Sequence, residues 1–258
     1  MKTLSSGRKR LFRNAITYGI VIAAFVILQI LNAGGLLSPS LQGQLVPICA
    51  YVTMAIALNL VVGISGELSL GHAGFMSVGA FSGVVVSLSL QQAIPSGPVR
   101  LAVAMLVGAV CAGIAGFIVG VPVLRLRGDY LAIVTLAFGE IIKSIFNNLY
   151  VGLDESGFHF SLLSDTTDLS ENGTLIIGGP MGIGGIQKIS TFTAGFILVM
   201  ITLVVVFHLV NSRAGRAIMA IRDNRIAAES VGLNITKYKM MAFVTSAALA
   251  GSAGALFA

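Results

Sequence analysis

Residues 192–210 read FTAGFILVMITLVVVFHLV and contain no acidic residue, lysine or arginine. A helix of about 20 apolar residues is long enough to cross the hydrocarbon layer of a membrane. This run therefore predicts a membrane-spanning helix, and the rest of the chain repeats the pattern. Apolar runs of similar length predict seven spans in all, at residues 15–31, 45–62, 72–90, 99–121, 130–149, 192–210 and 240–258.

The composition agrees with this pattern over the whole chain of 258 residues. Hydrophobic residues make up 56% of it, charged residues only 10%, and the mean hydropathy is +0.95. These values exclude an ordinary soluble enzyme. The apolar runs are long and unbroken, without the alternation of barrel strands, so helices are favoured over a transmembrane barrel. The sequence predicts an all-α polytopic helix bundle that forms a single transmembrane domain over residues 1–258.

The positive charges fall on one side of this predicted topology. With the N-terminus in the cytoplasm, the inside segments 1–14, 122–129 and 211–239 hold thirteen of the 16 lysines and arginines. Positive residues concentrate in cytoplasmic loops, so this orientation is predicted. The net charge of +6 then follows from topology, and nucleic-acid binding is not expected. The segment 150–191 is predicted outside, as a loop with five acidic residues: Asp154, Glu155, Asp165, Asp168 and Glu171.

Between the second and third spans the apolar pattern fails at GISGELSLGHAGF, residues 63–75. Four glycines in this stretch weaken a continuous helix. The stretch is either a tight cytoplasmic turn or a discontinuous helix at membrane depth, where free backbone N–H groups suit a substrate carboxylate. For the second alternative, the candidate residues along a substrate route are Gly66, Glu67, Ser69, Gly71 and His72.

Glu140 lies inside the fifth span, where an isolated charge costs several kcal/mol, about 2.5 to 3.5 on insertion scales. It must therefore face protein or water. Lys143 stands at helical i,i+3 spacing, and Thr135 lies on a neighbouring part of the same helix. The sequence leaves two alternatives open, a structural ion pair that holds the bundle together and a pathway that includes Glu140 and Thr135.

Small residues recur at four-residue spacing in two spans, as Gly108, Ala112, Gly116 and Gly120, and as Ala247, Gly251 and Ala255. Such ridges let helix backbones approach closely. Packing within the bundle and a subunit interface are both compatible with them. Cys49 and Cys111 lie within apolar runs without metal-ligand spacing, and neither a metal site nor a catalytic constellation is predicted.

The segment 211–239 is the longest predicted cytoplasmic loop. Residues 213–231 predict one short amphipathic helix, ended by Gly232. Its apolar positions are Ala217, Ile218, Ile221, Ala228 and Val231. Small residues at Ala227, Ala228 and Gly232 would let another protein approach closely. The alternative is a basic helix that lies on anionic lipid headgroups.

Four motifs in order resemble a known family: SGELSLGHAGF at 65–75, LRLRGDYLAIVTLAFGEI at 124–141, GGPMGIGGI at 178–186 and RAGRAIMAIRDNRIAAESVGL at 213–233. Together they resemble the LivM-type permease subunit of branched-chain amino-acid ABC importers. The resemblance implies a multi-pass protein of the bacterial inner membrane. Besides the lipid bilayer, it implies three kinds of protein partner: a LivH-like second permease subunit, two ATP-binding cassette subunits, which use ATP, and a periplasmic substrate-binding protein.

The resemblance also implies that residues 211–239 dock onto the ATP-binding subunits. The family signature, an Ala-Ala pair followed by Gly, matches Ala227, Ala228 and Gly232, and Arg222 is the candidate cation of this coupling set. Ile226 stands where the signature carries Glu. Family members are expected to continue beyond Ala258 through further spans, so a truncated C-terminus is expected.

The function implied is that of a transport subunit and not of an enzyme. No cofactor is expected on this chain, since the partner subunits use ATP. Related permeases make urea or short amides the nearest alternative substrates. An ATP-independent secondary transporter with Glu140 as a proton or ion site is an alternative of another class.

Overall fold

The computed structural model describes residues 2–91, 93–126, 128–154, 157–161, 174–182 and 189–258. Most of the acidic residues predicted for the outside loop lie beyond the described residues, as does part of the glycine-rich motif 178–186. They are Glu155, Asp165, Asp168, Glu171 and residues 183–186.

Helices dominate the parts of the chain that the structure describes. In chain order they are α1 (Lys2–Ala33), α2 (Pro39–Asn59), α3 (His72–Ser89), α4 (Gly97–Val123), α5 (Asp129–Asn147), α6 (Phe192–Asn211), α7 (Arg213–Asp223), α8 (Arg225–Ser230) and α9 (Ile235–Phe257). Seven of the described helices are long and apolar enough to span a membrane, α2 together with a π-helical turn at Leu60–Ser65. The all-α class and the seven predicted spans are confirmed.

Two spans begin at least five residues earlier than hydropathy predicts, because capping chemistry sets their first residues. The second span begins at Pro39 and not at 45, since proline suits the first turn of a helix. The seventh begins at Ile235 and not at 240, since the Asn234 side chain accepts a hydrogen bond from Lys237 N at 3.0 Å. Neither signal contributes to an apolar run.

Helices α3, α4 and α9 form the centre of the bundle, and the small-residue ridges line their contacts. A Cβ atom built on Gly116 would lie 2.5 Å from Ala247 Cβ, and one on Gly108 would lie 3.0 Å from Ala255 Cβ. Ordinary side chains would therefore separate the backbones of α4 and α9. Of the two alternatives for these ridges, the structure shows packing within the bundle.

A small sheet follows α5 where the sequence predicted only a loop. Its strands β1 (Tyr150–Asp154), β2 (Gly157–Ser161) and β3 (Thr174–Gly178) are antiparallel in the order β2-β1-β3. Val151 and Ile177 are buried and pack with Val84 of α3. We call this side of the bundle the sheet end, and the opposite side, where α6 leads into α7, the α7 end.

The single helix predicted over residues 213–231 is wrong, because the helix breaks at Asn224. Asn224 is extended, with φ −152° and ψ 103°, and its side chain accepts a hydrogen bond from Ala227 N at 3.0 Å. Asparagine competes with helix continuation and favours caps, so α8 starts afresh. The break changes the helical register, and Val231, predicted on the apolar face, is 75% exposed. Ala217, Ile218, Ile221 and Ala228 are buried as expected.

Candidate functional site

The glycine-rich stretch interrupts the helices between α2 and α3. The π-helical turn after α2 ends at Gly66, where φ is +74°, a left-handed conformation that glycine adopts without strain. The amide of Glu67 donates back to the carbonyl oxygen of Val61 at 3.1 Å. Helical structure resumes at His72, and residues 66–71, which we call the break, are not helical.

Contacts with α9 show that the break runs along the inside of the bundle. Glu67 forms an ion pair with Lys239, near the start of α9, and His72 contacts Ser246, near its middle. Seven residues separate Lys239 from Ser246, which corresponds to about 10 Å along a helix. A tight turn between helix ends does not have this geometry, and α3 begins deep in the bundle.

The other side of the break rests on α5. Thr135 Oγ1 accepts a hydrogen bond from Leu70 N at 3.1 Å. Gly71 packs directly on the α5 backbone, and a Cβ atom built on it would collide with the carbonyl oxygen of Thr135. A Cβ atom on Gly139 would in turn lie 3.2 Å from Gly71 Cα. The closeness of these backbones fixes where α3 begins relative to α5.

His72 is buried against α9 and takes part in a short chain of hydrogen bonds. Ser246 Oγ donates to the carbonyl oxygen of Ala57 and lies 2.9 Å from His72 Nε2. A hydroxyl has one hydrogen to donate, so His72 Nε2 is the donor to Ser246 Oγ. Within the described part of the chain, His72 Nδ1 and Ser69 Oγ are buried without a hydrogen-bond partner. Both predicted side chains therefore face the interior of this chain.

A cleft of about 340 Å³ opens between α3, α5 and the turn Gly179–Met181 at the sheet end. Its wall includes Gly71 from the break and both Glu140 and Lys143 from α5. The carboxylate and the ammonium are 3.2 Å apart, and their side chains are 65% and 64% exposed. The ion pair predicted from the i,i+3 spacing is present, and it lines an open cleft.

The structure thus places only some of the predicted pathway residues in the cleft. Gly71 and Glu140 line the cleft. The Thr135 hydroxyl on α5 accepts a hydrogen bond from the break. Four others lie away from the cleft: Gly66, Glu67, Ser69 and His72. Sequence reasoning missed Gly139, although its position four residues after Thr135 places it on the same helix face.

Arg222, a predicted coupling residue, also contacts the chain next to the break. Its Nη1 donates to the carbonyl oxygen of Gly63 at 2.9 Å. A Cβ atom built on Gly66 would lie 2.6 Å from Arg222 Cγ, so the stem of the arginine lies directly on that glycine. The end of α7 is therefore tied to the start of the break.

The other predicted coupling residues lie on α8 or just after it. Ala227 and Gly232 are exposed, whereas Ala228 is buried beside Ile221 and Ile235. Gly232 ends the helix in a left-handed conformation with φ +83°, and its amide donates to the carbonyl oxygen of Glu229 at 3.0 Å. The predicted helix end at Gly232 is confirmed.

Seven spans among the described residues, with a non-helical break inside the bundle, define a multi-pass helical membrane protein. Residues 40–258 match the family described as "Branched-chain amino acid transport system / permease component". The chain belongs to this family of membrane permease components. The matched residues include the break, the cleft and helices α7 and α8.

Similar proteins include two named LivM, each a high-affinity branched-chain amino acid transport system permease protein. The one from Salmonella typhimurium is 36% identical over 81% of this chain and 50% of its own length. The one from Escherichia coli is 35% identical with the same coverage. A nucleoside ABC transporter permease protein, NupC of Lactococcus lactis, is 23% identical over 75% of this chain and 59% of its own length. This chain thus spans about half the length of the LivM proteins, and no solved structure matches it.

Proposed function

We propose that this chain is a permease subunit of an ATP-driven importer for branched-chain amino acids. The observation that carries the proposal is the family match over residues 40–258, which covers both the break and the segment that contacts it from α7. The similarity to the two LivM proteins supports branched-chain amino acids as the substrate. Nucleosides are the substrate named for one distant relative, so the family fold alone does not select the substrate.

The proposed assembly contains a second, LivH-like permease subunit, two ATP-binding cassette subunits and a periplasmic substrate-binding protein. The ATP-binding subunits hydrolyse ATP, and this chain binds no cofactor. The proposed orientation places the N-terminus and the α7 end in the cytoplasm and the sheet end in the periplasm. The distribution of lysine and arginine supports that orientation.

Uptake of labelled substrates tests this function. Cells that express the complete operon, in a host without its own leucine uptake, are expected to accumulate labelled leucine while ATP is present. Labelled urea supplied in parallel should not accumulate above its outside concentration. A signal for urea alone would contradict the proposed substrate. Leucine uptake that follows membrane potential and persists without the ATP-binding subunits would instead identify a secondary transporter.

Arg222→Gln is expected to weaken the coupling of ATP hydrolysis to transport. The glutamine side chain is shorter and uncharged, so the hydrogen bond to Gly63 is lost or weakened. A partly exposed charge-assisted hydrogen bond of this kind contributes about 1 kcal/mol. We therefore expect roughly fivefold less leucine imported per ATP hydrolysed, measured in proteoliposomes that contain the whole complex.

The matched control for this prediction is Asp223→Asn. Arg222 also pairs with Asp223 at 3.0 Å, and that carboxylate is largely exposed. Its neutralisation leaves the contact between Arg222 and Gly63 in place. We expect the ratio of transport to hydrolysis to be unchanged in Asp223→Asn, and an equal loss in both variants would show that the ion pair matters instead.

A further inference from the structure

The two charged side chains of the cleft, Glu140 and Lys143, lie at a depth where charges are energetically costly. Glu140 lies seven residues before the end of α5 at Asn147, about 10 Å along the helix. The hydrocarbon layer is about 30 Å thick, so this carboxylate lies within apolar depth. Its side chain and that of Lys143 are nevertheless about two-thirds exposed. A face of this kind must line water, a ligand or a polar surface of a partner subunit, because lipid does not solvate it.

Among the described residues, the ion pair does not connect one helix to another. Within the described residues, the Lys143 ammonium hydrogen-bonds only to the Glu140 carboxylate, and both belong to α5. No charged group of α3 or α9 joins them in that part of the chain. The structural alternative, an ion pair that connects the bundle, is therefore not what the geometry shows.

We infer that Glu140 and Lys143 form a subsite for the ammonium and carboxylate groups of a free α-amino acid. This inference rests on the proposed function and names the chemistry that recognises the substrate. An α-amino acid carries both charges on groups attached to one carbon. When the amino acid binds, two new ion pairs can replace the one between Glu140 and Lys143. The substrate ammonium then pairs with Glu140, and the substrate carboxylate pairs with Lys143. The net charge of the cleft is zero before and after binding.

The remaining walls of the cleft suit an aliphatic side chain. Leu70 and Leu136 contribute apolar surface, and Phe81 stacks on Phe146 with ring centroids 4.1 Å apart. A volume of about 340 Å³ lies at the lower end of the range for small-molecule sites. The cleft thus combines one charge of each sign with apolar surface, which matches a branched-chain amino acid.

This arrangement also discriminates against neutral substrates. Urea offers hydrogen bonds but no charge. To bind between Glu140 and Lys143, it would separate the ion pair and offer each charge only neutral hydrogen-bonding groups, which are weaker partners than opposite charges. A molecule with only one charge replaces one partner and leaves the other unpaired. The subsite therefore selects molecules that carry both charges.

Protection of a reporter cysteine tests the subsite. Ala73 lies in the cleft wall and is exposed, so Ala73→Cys is introduced together with Cys49→Ala and Cys111→Ala. The assembled complex in membrane vesicles, without ATP, is treated with a methanethiosulfonate reagent. Leucine at millimolar concentration is expected to slow the modification. 4-Methylpentanoate, which lacks the ammonium, 3-methylbutylamine, which lacks the carboxylate, and urea are expected to leave the rate unchanged.

The double substitution Glu140→Gln with Lys143→Met removes both charges and leaves neither unpaired. It is expected to raise the leucine concentration for half-protection at least ~10-fold, since charge-assisted contacts are lost. Ser144→Met introduces the same side chain one residue further along α5, outside the cleft, and is expected to leave protection unchanged. A normal rate of modification without ligand shows that the double variant is inserted and folded.

Protection by leucine that persists in the double variant would overturn the inference, as would equal protection by the single-charge analogues. Absence of any leucine protection in the reporter background would also overturn it. The proposed function is judged separately by leucine uptake through the complex without these substitutions. If that complex imports leucine but protection is the same with and without the two charges, the inferred subsite is wrong and the proposed function stands.

Discussion

Replacing Gly71 with leucine is expected to reduce leucine uptake to background while the protein remains in the membrane. Even a Cβ atom at this position would collide with the carbonyl oxygen of Thr135, which is backbone and does not rotate away. The larger side chain must therefore push α5 away from the start of α3, and overpacking of this kind typically costs about 1 to 3 kcal/mol. The cleft between α3 and α5 is distorted as a result.

Insertion should survive because α5 lies outside the central packing of α3, α4 and α9. Uptake of labelled leucine and the amount of protein in isolated membranes are the two measurements. Gly43→Leu is the matched control, since Gly43 lies in α2 with nothing within 4 Å of a Cβ atom. Normal uptake by the Gly71 variant would mean that the close approach of the break to α5 is unnecessary for transport.

Gly232→Asp is expected to release the ATP-binding subunits from a permease that is otherwise intact. A Cβ atom at Gly232 meets nothing within 4 Å in this chain, so the bundle itself has room for a side chain. The φ of +83° makes any side chain there somewhat strained, although aspartate tolerates this region better than most residues. The main expected damage is therefore steric, at the surface that a partner subunit approaches.

Co-purification of the ATP-binding subunit with the tagged permease measures this loss. Gly35→Asp is the matched control, because Gly35 has a similar φ of +65°, also has no neighbour within 4 Å, and lies between α1 and α2. Gly232→Asn has nearly the shape of aspartate without its charge and should release the subunits almost as well. If Gly232→Asp retained the ATP-binding subunit as the unsubstituted chain does, the docking surface would lie elsewhere.

Local chemistry accounts for the parts of the fold that were predicted correctly. The run at 192–210 must span a membrane because its residues are apolar over the right length, whatever surrounds it. Gly232 ends a helix for an equally local reason, since glycine is the residue that adopts a left-handed cap most readily. The pairing of Glu140 with Lys143 follows from one helical turn.

The wrong predictions arose where two local signals competed or where a signal was too short to stand out. Residues 213–231 carry a helical apolar pattern, but Asn224 caps a new helix in the middle of it. The apolar periodicity alone does not show that the Asn224 side chain interrupts the helix. The small sheet after α5 was missed because its strands are five residues each, too short for alternation to stand out from a loop.

The sequence by itself determined the class of the protein, the number of spans and the position of the break, because apolar length and glycine content act through the nearest residues and the solvent. Only the tertiary structure decided what the break and the turn before it contact. Lys239 and Arg222 lie 172 and 159 residues away from their partners Glu67 and Gly63. The tertiary structure likewise placed Glu140 on an open cleft and His72 in a buried contact with Ser246. Such contacts depend on how whole helices pack, and no local pattern specifies which distant backbone or side chain a residue will contact.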